Sequence, residues 1–183
     1  MANVLHFDQD VVLEKILEIF WTKGYKATTT RELAEVAGIS ESSLFNTFSS
    51  KRAIYLRALQ RYTERSRQRV AQMFEADSPL QGLRNYWETS AQLAADPSRT
   101  RGCMITNATV ELSDDPEIIA FLKTVHRGYE KNFRKILDLA VQQGELRSDT
   151  DTRALAEFLA TNAQGMRILS RTNPGKRKAQ NVL

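Results

Sequence analysis

The sequence predicts an all-α fold, and three observations support this prediction. Apolar residues recur at helical spacing almost throughout the 183 residues, and no segment shows the strict alternation of a half-buried strand. Helix-capping residues, glycines and prolines divide the chain into eight such segments. A composition of 42% hydrophobic and 26% charged residues is ordinary for a soluble protein with one or two packed domains.

The first helix is predicted from about residue 8 to residue 23. Val12, Ile16 and Phe20 repeat at helical spacing along it, and Gly24 ends it.

The second and third helices are short and are separated by a glycine. In "TTTRELAEVAG", Thr29 and Glu32 have the spacing of a capping box, in which each side chain binds the backbone of the other residue. Gly38 permits a tight turn. Ser40 is then the predicted cap of helix three, which runs from about residue 41 to residue 47.

The remaining five helices are longer or follow clear breaks. Helix four is predicted over residues 51–75, helix five after Pro79, helix six in "CMITNATVELS", helix seven from Pro116 to about residue 143, and helix eight from about residue 150 to residue 171. Residues 1–50 are therefore expected to form one domain, helix four to link it, and residues 76–183 to form a second.

Composition argues against several classes of protein. One cysteine excludes an internal disulfide, and His6 and His126 lie too far apart in sequence to suggest a metal site. No phosphate-binding loop, nucleophile elbow or HExxH motif is present, so we expect no enzyme and no cofactor. No run approaches the roughly 20 apolar residues of a membrane span, and no apolar signal-peptide core follows the start. These features predict a cytoplasmic protein without a membrane partner.

Charge is distributed unevenly along the chain. Residues 1–50 carry four basic and seven acidic side chains, a net charge of −3, whereas residues 51–75 carry seven basic and two acidic ones, a net charge of +5. The last thirteen residues add four basic side chains and no acidic one. The clustering favours a nucleic-acid partner more strongly than the overall charge of +4 does.

The short polar helix between two apolar helices points to DNA. Helix, glycine turn and helix form the helix-turn-helix pattern, whose second helix enters the major groove. Ser42, Ser43, Asn46 and Thr47 are small enough to approach phosphates and base edges, and Asn46 is suited to paired hydrogen bonds with adenine. Lys51 is expected to contact a phosphate. The alternative is a purely structural helical corner.

The segment "GYKATTTRELAEVAGISESSLFNTFSSKRAIY" strongly resembles the N-terminal signature of the TetR family of bacterial one-component regulators. The matching positions are Gly24, Thr29, Leu33, Ala34, Ala37, Gly38, Ile39, Ser40, Leu44, Phe48, Ser50 and Lys51. The resemblance implies an all-α homodimer with three N-terminal DNA-binding helices and a C-terminal helical ligand-binding and dimerisation bundle. It also implies repression at a palindromic operator and release by a ligand.

The predicted DNA-binding residues are Thr29, Thr30, Arg31, Ser40, Glu41, Ser42, Ser43, Phe45, Asn46, Thr47 and Lys51. Some of them depart from the family pattern. Glu41 and Ser42 stand where the family favours lysine and glycine, Phe45 where it favours tyrosine, and Thr47 where histidine is frequent. Since Phe45 cannot donate a hydrogen bond, packing against a sugar or a thymine methyl group is its expected role.

The second half contains candidates for an effector site. They are Tyr86, Trp87, Cys103, Asn107, His126, Tyr129 and Phe133. Aromatic side chains beside a few polar ones suit a small-molecule cavity, although the same spacing is typical of a plain core.

The last helix has a broad apolar face, formed by Leu155, Phe158, Leu159, Met166 and Leu169. With part of helix seven it is the predicted homodimer interface, a four-helix contact that the family resemblance implies. Packing within one chain is the competing use of this face.

The single cysteine offers an alternative switch. "RGCMITNATVEL" resembles a subset of the family with Gly-Cys at this point, which includes sensors of electrophiles and oxidants. Arg99, Arg101 and a helix N-terminus near Cys103 would favour the thiolate. Packing of Cys103 as a small apolar side chain is the favoured alternative.

Together these features predict a DNA-binding transcriptional regulator, most simply a repressor released from operator DNA by a small-molecule effector. One alternative is a repressor switched by oxidation or alkylation of Cys103. Another is an α-helical binding module or enzyme, for which Glu111 and His126 are the pair to test.

Overall fold

The computed structural model describes residues 8–98, 100–172 and 177, and this part of the chain is helical without strands, which confirms the predicted fold class. Its α-helices are α1 (Gln9–Lys23), α2 (Thr30–Ala37), α3 (Glu41–Phe48), α4 (Lys51–Ala71), α5 (Pro79–Ala95), α6 (Met104–Glu111), α7 (Pro116–Gln142) and α8 (Thr152–Leu169). Single turns of 3-10 helix follow α4 at Gln72–Phe74 and α8 at Ser170–Thr172. None of the described helices combines the length and the apolar character needed to cross a membrane.

Two helices are shorter than the sequence predicts, for local reasons. The last predicted turn of α4 tightens into 3-10 helix, where the Glu75 N–H donates to the Gln72 carbonyl. The start of α8 lies at Thr152 because the Asp151 carboxylate caps it by accepting from the Ala154 N–H at 3.0 Å.

The chain divides into two compact units, residues 1–63 and 64–183. The division falls within α4, which contributes its first part to one unit and its last part to the other.

The first unit is organised around a fully buried apolar core. Ile16 and Phe20 of α1, Leu33 of α2, Leu44 of α3 and Tyr55 of α4 are all 0–1% exposed. The Phe20 and Tyr55 rings meet edge to face with centroids 4.8 Å apart. Each helix therefore turns one apolar stripe inward and leaves its other face to solvent.

An ion pair links α1 to α4 at the border of this core. The Arg61 Nε donates to the Glu14 Oε1 at 2.6 Å, and both side chains are about one-third exposed. Because the two groups are partly shielded from water, the pair helps to orient α4 on α1.

The second unit contains α5 to α8 and is centred on α7. Leu122, Phe133, Ile136 and Leu137 of that helix are buried, and they recur at helical spacing. The Glu145 carboxylate beyond α7 accepts from the Leu80 N–H at 2.9 Å and so ties the start of α5 to the end of α7.

A glycine allows α5 to approach the turn after α4. A Cβ added at Gly82 would lie 1.9 Å from the Met73 carbonyl oxygen, closer than any real contact. A side chain at this position would therefore push α5 away from Gln72–Phe74.

We expect Gly82→Ala to lower the free energy of unfolding by about 3 kcal/mol, the upper range for a side chain forced into a packed site. The matched control is Gly128→Ala in α7, where an added Cβ meets nothing within 4 Å. Gly128→Ala should instead stabilise the protein by roughly 0.5–1 kcal/mol because alanine favours a helix interior. Urea denaturation followed by circular dichroism measures both, and equal effects of the two changes would contradict the close approach.

Candidate DNA-binding surface and effector site

The turn between α2 and α3 depends on the left-handed backbone of Gly38, whose φ is +73°. The N–H groups of Gly38 and Ile39 both donate to the Ala34 carbonyl, at 2.9 and 3.2 Å. A side chain would strain this conformation, whereas glycine adopts it freely. The turn places α3 against α2 with Leu33 and Leu44 both buried.

The predicted capping box of α2 is confirmed. The Glu32 N–H donates to the Thr29 hydroxyl at 3.2 Å, and the Thr29 N–H donates to the Glu32 carboxylate at 2.8 Å. The two hydrogen bonds of the capping box thus fix the orientation of the Thr29 hydroxyl at the start of α2.

Glu32 also contacts the Lys23 ammonium at the end of α1. This ammonium, followed by the Thr29 hydrogen bonds, lowers the pKa of the Glu32 carboxyl from 4.5 to about 2. A lowered pKa means that the carboxylate form supports the fold above about pH 4.5 and that this support is lost as the pH falls towards 2.

The outward face of α3 carries small polar groups. Ser42 and Asn46 are exposed one turn apart, and Phe45 and Thr47 are half-buried beside them. The Thr47 hydroxyl donates to the Ser43 carbonyl at 3.0 Å, so it is turned back onto its own helix.

The predicted cap of α3 is confirmed as well. Ser40 accepts from the Ser43 N–H at 3.1 Å, and its hydroxyl lies 2.9 Å from the hydroxyls of both Ser42 and Ser43. These hydroxyls form one small cluster at the N-terminal end of α3.

The remaining candidates of α2 and α3 are partnered with each other or with close neighbours. The Thr30 hydroxyl donates to the Glu41 carboxylate at 2.9 Å, which joins the first turns of the two helices. The Arg31 Nε donates to Glu35 at 3.0 Å in an exposed pair one turn apart. An exposed pair of this kind contributes only a few tenths of a kcal/mol, so Arg31 can exchange it for a phosphate at little cost.

A strained turn positions Lys51 at the start of α4. Ser49 has φ +63°, and the Ser50 N–H donates to the Phe48 carbonyl at 2.8 Å, which makes a γ-turn. The Lys51 ammonium then lies 4.4 Å from the centroid of the Tyr25 ring. The predicted DNA-binding residues thus occupy α2, α3, the N-cap positions of both helices and the first turn of α4.

The second unit brings most of the predicted effector residues together. The Tyr86 and Phe133 rings lie 5.4 Å apart, and the Trp87 ring lies 6.3 Å from Phe133. Cys103 is close enough to Tyr129 to affect the pKa of its hydroxyl.

Arg167 of α8 joins this group, although the sequence analysis does not include it. One guanidinium NH2 donates to the Tyr86 hydroxyl at 3.1 Å, and the guanidinium carbon lies 4.6 Å from the centroid of the Tyr129 ring. It lies four and seven residues after Ala163 and Ala160, and their burial in the structure places Arg167 on the inward face of α8. The sequence shows this spacing but not which face of the helix is buried.

Tyr129 is buried down to its hydroxyl. The hydroxyl oxygen is enclosed and makes no hydrogen bond of accepted geometry with the described residues. The Ser66 hydroxyl is near enough to favour the phenolate slightly, but burial dominates and raises the pKa of Tyr129 above 10. Tyr129 is therefore a neutral phenol that can both donate and accept a hydrogen bond.

His126 borders the same group. Its Nε2 lies 3.3 Å from the Thr109 hydroxyl. Burial, and then the positive charge of Arg167, lower the pKa of the imidazole below 6.5, while Glu130 opposes the shift. His126 is therefore neutral at physiological pH.

Cys103 and Asn107 lie at the start of α6. Cys103 is the N-cap residue and is only 6% exposed. The Asn107 amide donates to the Arg101 carbonyl at 2.9 Å and so holds the loop before the helix. Arg99, expected to favour a thiolate, lies outside the described residues.

The predicted dimer residues of α8 share one broad face of the helix but differ in their exposure across it. Phe158 is 62% exposed and Leu169 is 37% exposed, whereas Leu155 and Leu159 are half-buried. Met166 is only 5% exposed and packs inside its own unit.

No group of three or more His, Cys, Asp or Glu side chains that could hold a metal ion occurs in residues 8–98 and 100–172 or at residue 177.

Two family models match the chain. The model of the bacterial regulatory proteins of the tetR family matches residues 12–58, and that of the tetracyclin repressor-like C-terminal domain matches residues 79–182.

Relatives are similar to nearly the whole chain. The HTH-type transcriptional repressor ComR of Escherichia coli (strain K12) is 31% identical over 179 residues, covering 96% of this chain and 85% of ComR. The uncharacterized HTH-type transcriptional regulator YezE of Bacillus subtilis (strain 168) is 32% identical over 162 residues, covering 87% of this chain and 84% of YezE.

A solved structure of similar fold is a cysteine mutant of the TetR family transcriptional regulator CifR complexed with 26 bp double-strand operator DNA. Its TM-score is 0.84 at 26% identity, and the match covers 96% of this chain and 93% of CifR. These matches agree with the helix-turn-helix of the first unit and with the helical second unit. The chain belongs to the TetR family and is a DNA-binding transcriptional regulator.

Proposed function

We propose that the protein is a homodimeric repressor that occupies a palindromic operator and leaves it when a small organic effector binds the second unit. The name of ComR as a repressor and the CifR complex with operator DNA support the first part of this proposal. A regulator of this kind works where the chromosome lies, which supports a cytoplasmic location.

The observation that carries the proposal is the pattern on α3. A helix of eight residues presents exposed Ser42 and Asn46 on one side and buries Leu44 and Phe48 on the other. The buried side holds the helix in place, and the exposed side offers donors and acceptors of the size that major-groove edges accommodate.

Dimerisation is supported by the outward face of α8. Phe158, Asn162, Gly165 and Leu169 follow one another at intervals of four, three and four residues and therefore share a face. A Cβ added at Gly165 would meet nothing within 4 Å, so no other described part of the chain covers this face between Phe158 and Leu169. An exposed aromatic ring beside a glycine suits the close approach of a second helix.

Effector release is supported by the second unit and by the continuity of α4. The helix carries Lys51 at the DNA-binding end, and Ser66, near Tyr129, belongs to its second half. A ligand that shifts the second half of α4 would change the population of the DNA-binding conformation. Burial of Cys103 favours this reversible account over the oxidation or alkylation switch.

The direct test is an electrophoretic mobility shift with the DNA upstream of the protein's own gene. Asn46→Ala should weaken binding to the shifted operator by about 1–3 kcal/mol, the value of one base-reading contact, and should leave binding to random DNA of the same length unchanged. Equal losses on both DNAs would exclude base reading by Asn46. A wild-type protein that shifts no DNA specifically would instead support the alternative in which α2, the turn and α3 have only a structural role.

Lys51→Ala should weaken binding to operator and random DNA alike, because a phosphate contact carries no sequence information. The slope of a plot of log affinity against log salt concentration should become less steep by about one unit. Lys15→Ala, which removes an exposed charge of α1, is the matched control and should change neither. A loss confined to the operator would argue against a phosphate contact.

Phe158→Asp should produce monomers that lose operator affinity, because a two-fold protein must present two reading helices about 34–36 Å apart. Sedimentation velocity at micromolar concentration measures the oligomeric state. Val110→Asp is the control, since Val110 is 72% exposed on α6 and lies outside the proposed interface. A wild-type protein that sediments as a monomer with and without operator would refute the dimer.

A further inference from the structure

We propose that the second unit binds a small organic anion, with its carboxylate on the Arg167 guanidinium and the Tyr129 hydroxyl and its apolar body against the rings of Tyr86, Trp87 and Phe133. These five residues are the Arg167 cluster. The inference rests on the proposed effector release and adds the chemical class of the effector.

Arg167 is directed into the unit by the rotation of α8. Ala156, Ala160 and Ala163 precede it by eleven, seven and four residues, and all three are buried. Arg167 therefore lies on the same inward face.

The guanidinium is oriented by two aromatic residues. The Tyr86 hydroxyl accepts one hydrogen bond at 3.1 Å, and the Tyr129 ring lies against the guanidinium with its centroid 4.6 Å from the central carbon. Stacking uses the face of a guanidinium, and hydrogen bonding uses its edge, so the two contacts do not compete. A planar fork held in this way matches the two oxygens of a carboxylate.

The charge of Arg167 acts on its neighbours. After burial, it is the next largest cause of the lowered pKa of His126, and it partly offsets the burial that raises the pKa of Tyr129, so the positive potential extends over both rings. His126 stays neutral, so Arg167 supplies this potential. An anion at this place would be stabilised by the same field.

Tyr129 is the second, independent observation. Its side chain is 7% exposed, and its hydroxyl has no hydrogen bond of accepted geometry among the described residues. An enclosed hydroxyl without an acceptor costs free energy, so such groups are uncommon unless a ligand or water completes them. A ligand carboxylate beside Arg167 would accept from this hydroxyl.

The aromatic rings of the Arg167 cluster indicate that the rest of the ligand is apolar. The centroids of the Tyr86, Trp87 and Phe133 rings lie 5.4–6.3 Å from one another, and the hydrogen bond from Arg167 to the Tyr86 hydroxyl joins this apolar group to the guanidinium. Inorganic phosphate would satisfy the guanidinium but would bury no apolar area against the rings. An aromatic or aliphatic carboxylate satisfies both parts of the cluster.

The test compares carboxylates with their neutral amides. Purified wild-type protein is titrated with phenylacetate, cinnamate and octanoate, with the three corresponding amides, and with sodium phosphate, by calorimetry and thermal unfolding. At least one carboxylate should bind and raise the unfolding midpoint, while its amide and phosphate should not. Binding of amides as strong as that of the acids, phosphate binding as strong as that of the acids, or no binding by any carboxylate would overturn the proposal.

Variants of Arg167 separate its charge from its shape. Arg167→Met should weaken carboxylate binding at least about ten-fold, since a hydrogen-bonded charge pair is lost. Arg167→Lys should recover part of the loss because it keeps the charge without the fork. Unchanged affinity in the methionine variant would overturn the proposal.

Tyr129→Phe keeps the test informative if Arg167 variants fold poorly. Removal of the enclosed hydroxyl should raise the unfolding midpoint without ligand and reduce the rise that the carboxylate produces. Tyr62→Phe in the first unit is the matched control and should leave the carboxylate response unchanged. A carboxylate response of wild-type size in Tyr129→Phe would contradict the role of its hydroxyl.

A mobility shift with operator DNA distinguishes this inference from the proposed function. Release by neutral compounds alone would overturn the anion site and leave effector release standing. Arg167-dependent carboxylate binding that leaves the operator complex intact would support the anion site and refute effector release through it.

Discussion

The burial of a few apolar side chains under two helices of eight residues each is the constraint on which the DNA-binding unit depends. Helices this short are not stable alone in water. α2 and α3 persist because Leu33 and Leu44 are fully buried and because Gly38 allows the sharp turn between them. The polar face of α3 is therefore available to DNA only while its apolar face is occupied by the rest of the unit.

The acidic character of residues 1–50 is compatible with DNA binding because several carboxylates are partnered within the unit. Glu14 pairs with Arg61, Glu32 with Lys23 and Glu35 with Arg31. Such pairs contribute little stability at the surface, but they reduce the negative field that phosphates would meet. Glu41 differs, since its carboxylate at the start of α3 accepts from the Thr30 hydroxyl, which carries no positive charge.

The second unit differs from the first because polar groups lie inside it. Arg167, Tyr129 and Tyr86 come from three helices and meet among aromatic rings. Burial of a guanidinium and of a phenol hydroxyl costs free energy that an all-apolar core would avoid. A site for a polar effector gives a physical reason to keep them, whereas packing alone does not.

The sequence by itself determined the features whose interactions are local. The caps of α2 and α3 involve residues three positions apart, so Thr29 and Ser40 could be recognised from the chain. The tertiary structure alone decided the rotation of α8, which turns Met166 and Arg167 inward and Phe158 outward. The contact between Arg167 and Tyr86 joins residues 81 positions apart. No local pattern encodes such a contact, because it depends on how whole helices pack against one another.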